Sequence, residues 1–177
     1  MRVVAGRLGG RRLVAVRGAG TRPTADRVRE AVFAILGDVA GATVLDLFAG
    51  SGALGIEALS RGAAAATFVD SAPRAIGAVR GNLAALGLEA ADVRRADAGA
   101  FLRTAGRAGR QYDLVLLDPP YRAAPRLAGA LSRDLAPVLA PRARIVAESD
   151  RRAPLELAFP IQAERRYGDT LVRIHSR

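Results

Sequence analysis

Residues 43–63 read TVLDLFAGSGALGIEALSRGA, and they contain the strongest indication of the fold. It opens with an apolar run rich in β-branched and aromatic residues, breaks at residues 49–52 (AGSG), and resumes with apolar residues at helical spacing, among them Leu54, Ala58 and Leu59. The pattern predicts a strand, a glycine turn and a helix. Ligands of open α/β sheets bind beyond the carboxyl ends of the strands, so this turn is a candidate ligand site.

The turn carries the glycine spacing of a nucleotide-binding fingerprint. Gly50, Gly52 and Gly55 satisfy G-x-G-x-x-G, and Asp70 ends the next apolar run, 20 residues after Gly50. Glycines permit a tight turn and close backbone approach, and a carboxylate at that distance can bind ribose hydroxyls. The spacing implies a cofactor that contains adenosine, which fits both NAD and S-adenosylmethionine.

Asp46 distinguishes the two cofactors, because it lies in the strand four residues before Gly50. A carboxylate there suits a ligand with a cationic ammonium and sulfonium, and it would repel a nearby pyrophosphate. This favours S-adenosylmethionine. The alternative is that Asp46 only accepts hydrogen bonds from the amides of the turn.

Length and composition indicate one globular domain with a full core. The chain has 177 residues, of which 50% are hydrophobic, and it contains no cysteine, which excludes disulfides and zinc–cysteine sites. No apolar run approaches the roughly 18 residues of a membrane span, and the first residues, MRVVAGRLGGRRL, lack a signal-peptide core. We therefore expect a cytoplasmic protein.

Positive charge is concentrated in the first part of the chain. The formal net charge is +10 and every basic residue is arginine. Residues 1–29 contain one acid, Asp26, and the arginines at positions 2, 7, 11, 12, 17, 22, 27 and 29. Two short strands, 2–5 and 12–16, are predicted around a glycine-rich turn. The sequence thus predicts a basic β-hairpin extension over residues 1–20 that binds nucleic acid, with a merely solvated arm as the alternative, followed by a cofactor-binding domain over residues 21–177.

The remaining chain alternates between strands and helices. We predict a helix over 25–36 capped by Thr24, and after Asp70 helices near 72–86, 98–105 and 125–139, with strands near 92–95, 112–117 and 144–148. A hairpin over 161–167 and 170–175 closes the chain. Five alternations and a final hairpin predict a doubly wound α/β sheet with an antiparallel edge.

A second motif, Asp118-Pro119-Pro120-Tyr121, follows the fourth strand and so emerges at the same sheet edge as the glycine turn. The exocyclic amine of a nucleobase is a weak nucleophile, and its methylation needs acceptors for both N–H protons and a surface on which the base stacks. The Asp118 carboxylate and the Pro119 carbonyl can accept these protons, and Tyr121 can stack on the base. No metal is required. The alternative is an ordinary turn.

Two further polar residues complete the candidates. Asp97, just past the third strand, can accept a hydrogen bond from the adenine amino group of the cofactor, and the alternative is an exposed loop acid. His175 lies near the end of the last strand and is expected to be structural.

Three segments together carry a resemblance to a known family. Residues 22–30 (RPTADRVRE), residues 45–63 and Asp118–Tyr121 resemble the RsmD family, bacterial 16S ribosomal RNA guanine-N2 methyltransferases that use S-adenosylmethionine. The resemblance implies a class I, Rossmann-like methyltransferase with a seven-stranded, mostly parallel sheet and an antiparallel last strand. It implies catalytic roles for Asp118, Pro119, Pro120 and Tyr121, and cofactor contacts from Asp46, Phe48, Ala49, Gly50, Ser51, Gly52, Asp70, Asp97 and Ala98. Asp70 stands where glutamate is more frequent in the family.

The implied partner is small-subunit ribosomal RNA or the assembled small subunit, bound by a monomer. Its phosphates would be held by Arg2, Arg7, Arg11, Arg12, Arg22 and Arg122. Three alternatives stay open: an adenine-N6 methyltransferase acting on DNA or RNA, an NAD-dependent oxidoreductase, and a non-catalytic RNA-binding assembly factor.

Overall fold

The computed structural model describes residues 1–16, 26–89, 91–120 and 123–177. The predictions for Thr24, Arg22, Tyr121 and Arg122 lie outside these residues. The helices are Asp26–Leu36 (α1), Ala53–Ser60 (α2), Pro73–Leu86 (α3), Ala98–Arg107 (α4) and Ala124–Leu135 (α5). The strands are Thr43–Leu47 (β1), Ala65–Asp70 (β2), Ala91–Arg95 (β3), Tyr112–Leu117 (β4), Leu139–Asp150 (β5), Ile161–Tyr167 (β6) and Thr170–Ser176 (β7).

The described strands form a seven-stranded sheet in the order β3-β2-β1-β4-β5-β7-β6. Strands β1 to β5 pair in parallel, and β7 runs antiparallel to both of its neighbours, β5 and β6. This confirms the predicted mostly parallel α/β sheet with an antiparallel last strand. Because β1 lies between β2 and β4, its carboxyl end lies between theirs, and the two predicted motifs fall on neighbouring strands.

The inner strands of the sheet, such as β1 and β4, are buried on both faces, which explains why they read as continuous apolar runs. Along β1, Val44 packs into the core under α1, α2 and α3, and the next residue, Leu45, packs into the core on the opposite face. Along β4, Leu114 and Val115 alternate in the same way. The successive side chains of a strand point to opposite faces, so each residue of the run is needed for one of the two cores.

Two boundaries differ from the sequence-based prediction, and so does the burial of two residues in α1. Helix α5 ends at Leu135 rather than near 139, because Pro137 has no amide to continue the ladder, and residues Ala136–Val138 form a 3₁₀ turn. Strand β5 begins at Leu139 rather than 144, and its pairing with β4 shifts register at an irregularity that includes Arg142 at a φ of 68°. The apolar spacing of α1 predicts a buried stripe of Val28, Val32, Ile35 and Leu36 with Phe33 on its flank. Phe33 is instead buried and Ile35 half-buried, whereas the other three are buried as predicted.

Residues 1–16, which we call the arm, form a hairpin held by one β-bridge, between Arg2 and Arg12. The two short strands predicted here are not formed. Several arm amides donate to groups of α2 and α3 instead of across the hairpin, namely those of Val4, Ala5, Arg7, Leu8 and Val14. Val3 and Leu13 are buried in the core on the α1–α3 face. The arm is thus packed on the domain rather than projecting from it.

Within the part of the chain that the structure describes, no helix has the length and apolar character needed to cross a membrane.

Candidate active site

The glycine turn between β1 and α2 is a sharp left-handed bend. Gly50 and Gly52 have φ values of 56° and 80°, and Phe48 adopts a φ of 75°, which is uncommon for a residue with a side chain. The Phe48 and Ala49 amides both donate to the carbonyl of Val69, at 3.0 Å each, and hold the bend against β2. Strained backbone of this kind persists only where the surroundings fix it, which is common at ligand sites.

The third glycine of the fingerprint allows α2 to approach the sheet. A Cβ on Gly55 would lie 2.4 Å from the Phe68 ring and 3.0 Å from the Asp46 carboxylate. Gly55 N–H donates to Asp46 Oδ2 at 2.9 Å. The absence of a side chain therefore lets the start of α2 seat directly on the carboxylate of β1.

Asp46 is 2% exposed. Burial raises its pKa to about 7, the Gly55 amide lowers it in part, and the charge of Asp70 raises it further. The amide bond foreseen as the alternative role is thus present, and the same carboxylate also lines the cavity described below. A buried carboxylate with one amide partner is suited to a cationic ligand.

Asp70, half-buried at the end of β2, orients the turn from the other side. Its Oδ2 accepts the Gly50 amide at 2.9 Å, and its Oδ1 accepts the Ala72 amide at 2.8 Å. One carboxylate therefore fixes both the glycine turn and the start of α3.

A cavity of about 310 Å³ opens at the carboxyl ends of β1, β2 and β4. Its walls come from the glycine turn, the start of α3, the residues after β4 and the arm. It is lined by Met1, Ala15, Val16, Asp46, Phe48, Ala49, Gly50, Ser51, Ala53, Leu54, Asp70, Ser71, Ala72, Ala75, Asp118 and Pro120. The volume is typical of small-molecule sites.

The cavity joins the two motifs that the sequence singled out. Asp118 is half-buried and Pro120 exposed, and both line it, whereas Pro119 between them is buried. Three carboxylates, from Asp46, Asp70 and Asp118, thus line one cavity. Such a site attracts a cation and disfavours a pyrophosphate.

Three predicted cofactor residues do not line this cavity: Gly52, Asp97 and Ala98. Gly52 lies in the turn against Phe68 and Val79. Asp97 is exposed and caps α4, since its carboxylate accepts the Ala100 amide at 3.0 Å. Its contact with adenine stays a prediction.

Sequence reasoning missed the residues that hold the arm. Glu57 is fully buried, and its carboxylate accepts the amides of Val4 at 2.7 Å and Ala5 at 3.0 Å and pairs with Arg61 at 2.8 Å. Ser60 Oγ donates to the Ala5 carbonyl at 2.6 Å and accepts from the Leu8 amide. The sequence contains one indication of this contact, an acidic residue inside the otherwise apolar helix ALGIEALS.

The arm contains four arginines, all of them exposed, and two of the four side chains have a partner among the described residues. Arg2 pairs with Asp26 at 3.4 Å, and Arg11 donates to the Ala85 carbonyl at 3.1 Å. Arg7 and Arg12 have no side-chain partner among the described residues. Arg7 and Arg12 are therefore available to bind anionic groups.

The remaining candidate, His175, is fully buried, with Nδ1 3.0 Å from the Phe159 carbonyl, and burial lowers its pKa. It packs at β7, consistent with a structural role. Among the described residues, no group of three or more histidines, cysteines or acids is placed to hold a metal ion.

A parallel sheet in this strand order, an antiparallel last strand, a glycine turn after β1 and Asp-Pro-Pro after β4 together define a class I, Rossmann-like methyltransferase fold. A solved structure described as "Putative methyltransferase yhhF from Escherichia coli" superposes with a TM-score of 0.85 and 35% identity, over 100% of this chain and 97% of that one.

Comparison of sequences identifies the family. The family model described as "Conserved hypothetical protein 95" matches residues 1–176, and the chain belongs to this family, the RsmD family. The chain is 44% identical to the putative rRNA methyltransferase YlbH of Bacillus subtilis, over 88% of this chain and 85% of that protein. It is 42% identical to the ribosomal RNA small subunit methyltransferase D of Escherichia coli, over 69% of this chain and 61% of that protein.

Proposed function

We propose that this protein transfers a methyl group from S-adenosylmethionine to the exocyclic N2 amine of a guanine in small-subunit ribosomal RNA. The observation that carries the proposal is the set of three carboxylates, Asp46, Asp70 and Asp118, around one cavity at the carboxyl ends of β1, β2 and β4. The names of the related proteins from Bacillus subtilis and Escherichia coli support ribosomal RNA as the substrate.

The residues of the cavity fit S-adenosylmethionine. Asp46 would face the cationic part of the cofactor, and Asp70 would accept hydrogen bonds from ribose hydroxyls while it holds the Gly50 amide. When bound, this cofactor supplies a methyl group activated by a positively charged sulfur. NAD would bring a pyrophosphate against the same carboxylates, which argues against the oxidoreductase alternative.

Asp118 and Pro119 would act on the target amine. The Asp118 carboxylate and the Pro119 carbonyl accept its two N–H bonds, which draws the lone pair of the nitrogen toward the methyl carbon. The nitrogen becomes acidic only once it carries the methyl group, and Asp118 or solvent would accept the proton that it then loses. A base within a duplex hides its amine, so the target guanine must be unpaired or flipped out.

The arm would contribute the RNA contacts. Arg7 and Arg12 are exposed and have no side-chain partner among the described residues, and the arm also forms one wall of the cavity. Because Arg7 lies beside Ser60 at the carboxyl end of α2, RNA phosphates bound by the arm would extend from the site of methyl transfer along this helix.

The test is transfer of radiolabelled methyl from S-adenosylmethionine to small ribosomal subunits that lack their native methylation. Wild type should form N2-methylguanine, and Asp118→Ala should lower the rate at least a hundredfold. Asp113→Asn is the matched control, because Asp113 lies at the other end of β4 and accepts only the Thr43 amide among the described residues. Methyladenine as the product would favour the adenine-N6 alternative, and no transfer by wild type despite cofactor binding would favour the non-catalytic one.

A further inference from the structure

Asn82, on α3, links the arm to the glycine turn. Its side-chain amide accepts from the Val14 N–H at 2.8 Å and donates to the Val14 carbonyl at 3.0 Å, so it pairs with the backbone of the arm as a strand would. The same Nδ2 donates to the Ser51 carbonyl at 2.9 Å. At 2% exposure, Asn82 thus places both donor protons and its acceptor in these three bonds.

Val14 is held by Asn82 rather than by burial of its own side chain. The side chain of Val14 is 68% exposed, and the residues that follow it, Ala15 and Val16, line the cavity opposite the glycine turn. The position of this wall of the cavity therefore depends on one buried amide, which also fixes Ser51 in the turn.

We propose that Asn82 is a positioning residue that couples the arm to the glycine turn, so that cofactor and RNA each increase the affinity for the other. This inference rests on the proposed function of the same site. A ligand that fills the cavity contacts Val16 and Ser51 together and holds the arm in its docked position. The arm then presents Arg7 and Arg12 with fewer conformations to lose when RNA binds.

Coupling of this kind is reciprocal and can be measured with wild type alone. The affinity for S-adenosylhomocysteine is measured by equilibrium dialysis, with and without saturating unmethylated small ribosomal subunits. We expect the subunits to tighten its binding about fivefold or more, in the usual range for coupled sites. S-adenosylhomocysteine should also slow tryptic cleavage after Arg7, Arg11 and Arg12.

Variants separate the coupling from general attachment of the arm. Asn82→Asp keeps the acceptor for the Val14 amide and replaces the donor with an oxygen that faces the carbonyls of Val14 and Ser51. It should weaken S-adenosylhomocysteine binding several-fold. It should also abolish the coupling, so that saturating subunits no longer change the affinity for S-adenosylhomocysteine. Ser60→Ala is the control, because Ser60 holds Ala5 and Leu8 at the other end of the arm and does not line the cavity. It should weaken RNA binding and leave the affinity for S-adenosylhomocysteine without RNA unchanged.

The outcomes distinguish this inference from the proposed function. If wild type does not bind S-adenosylhomocysteine, the proposed function is wrong. If wild type binds it with equal affinity in the presence and absence of the subunits, or if Asn82→Asp keeps the full coupling, the proposed function stands and the role of Asn82 is overturned. Thermal unfolding shows whether each variant is folded. If a variant is not folded, its binding data are set aside, and the wild-type measurements alone decide whether the arm and the glycine turn are coupled.

Discussion

Asp46 is both deeply buried and part of the candidate cofactor site. Its carboxylate is buried at the end of β1, and desolvation raises its pKa to about 7. A cation bound in the cavity would stabilise the ionised form and pull this pKa down. Binding and ionisation of Asp46 are therefore linked near neutral pH.

The first prediction concerns the pH dependence of cofactor binding. Because the ammonium group of the ligand selects ionised Asp46, the affinity for S-adenosylhomocysteine should fall by up to about tenfold per pH unit below 7 and level off above about pH 8. Calorimetry between pH 5.5 and 8.5 measures this. Asp46→Asn should bind more weakly at pH 8 and lack the dependence, and an unchanged slope in that variant would assign the titration to another group.

The second prediction concerns stability, and its sign follows from the raised pKa. Between the ordinary pKa of 3.8 and the folded-state pKa of about 7, the folded protein holds a proton on Asp46 that the unfolded chain has lost. Stability from this group is therefore highest at low pH, decreases as pH rises through this window, and is constant above it. Without ligand, Asp46→Asn should raise the free energy of unfolding at pH 8 by on the order of 2 to 4 kcal/mol and have little effect near pH 4. Urea unfolding at both pH values is the measurement, and equal effects at the two would contradict the prediction.

The third prediction tests the close approach at Gly55. A methyl group there would meet the Phe68 ring at 2.4 Å, so Gly55→Ala should destabilise the protein by about 1 to 3 kcal/mol and weaken cofactor binding. Gly81→Ala, in the exposed face of α3, meets nothing within 4 Å and should instead stabilise by about 0.5 to 1 kcal/mol. Thermal unfolding of the two variants gives the comparison, and equal effects would mean that the space at Gly55 is not limiting.

Among the elements, the arm shows what local sequence patterns can and cannot predict. The strand, turn and helix around Gly50 were predictable, because their periodicity and glycine spacing are local. The docking of the arm depends on Glu57, Ser60 and Asn82, which lie 52 to 68 residues away along the chain from the groups they bind. Such pairings leave no periodic signal, and two predicted strands were replaced by a single bridge for this reason. The end of α5 was likewise misplaced because a helical pattern continued past Pro137.

In the candidate site, too, some positions could be predicted from the sequence and others could not. Asp46, Gly50, Asp70 and Asp118 line the cavity because each lies at or just beyond the carboxyl end of a strand whose place in a parallel sheet can be predicted. Asp97 does not line it, because the α4 cap uses its carboxylate, and a capping role and a ligand role look alike in the sequence.

The fourth prediction concerns docking of the arm. Gly6 has a φ of 80°, and a Cβ there would lie 2.0 Å from the Ser60 carbonyl oxygen, so Gly6→Ala should displace the arm from α2. We expect faster tryptic cleavage after Arg7 and Arg11 and weaker RNA binding. Gly9→Ala is the matched control, because its nearest contact is 3.3 Å and its backbone is not left-handed. Wild-type cleavage rates in Gly6→Ala would show that the arm is not held at this point.

For the whole molecule, the net charge of +10 would make the proposed RNA binding dependent on salt. The fifth prediction is that Arg7→Gln and Arg12→Gln each reduce the slope of log affinity against log salt by about 0.7 to 1, the amount expected for one lost phosphate contact. Filter binding at several salt concentrations measures this slope. Arg165→Gln makes the same charge change on β6, at the sheet edge opposite β3, and should leave the slope unchanged. Equal changes for all three variants would indicate a diffuse charge effect without a defined arm interface.

The two edge strands of the sheet also carry positive charge, and here the charge has a role that is separate from RNA binding. An open sheet leaves unpaired amides and carbonyls along its first and last strands, onto which a strand of another copy can add. Here Arg94 on β3 and Arg166 on β6 pair with acids of their own strands, whereas Arg95 and Arg165 are exposed without an ion-pair partner among the described residues. Bringing two such edges together would place these like charges side by side. These arginines therefore oppose the growth of the sheet into aggregates. Salt that screens them removes this protection, so a buffer chosen to release RNA from the protein also favours its self-association.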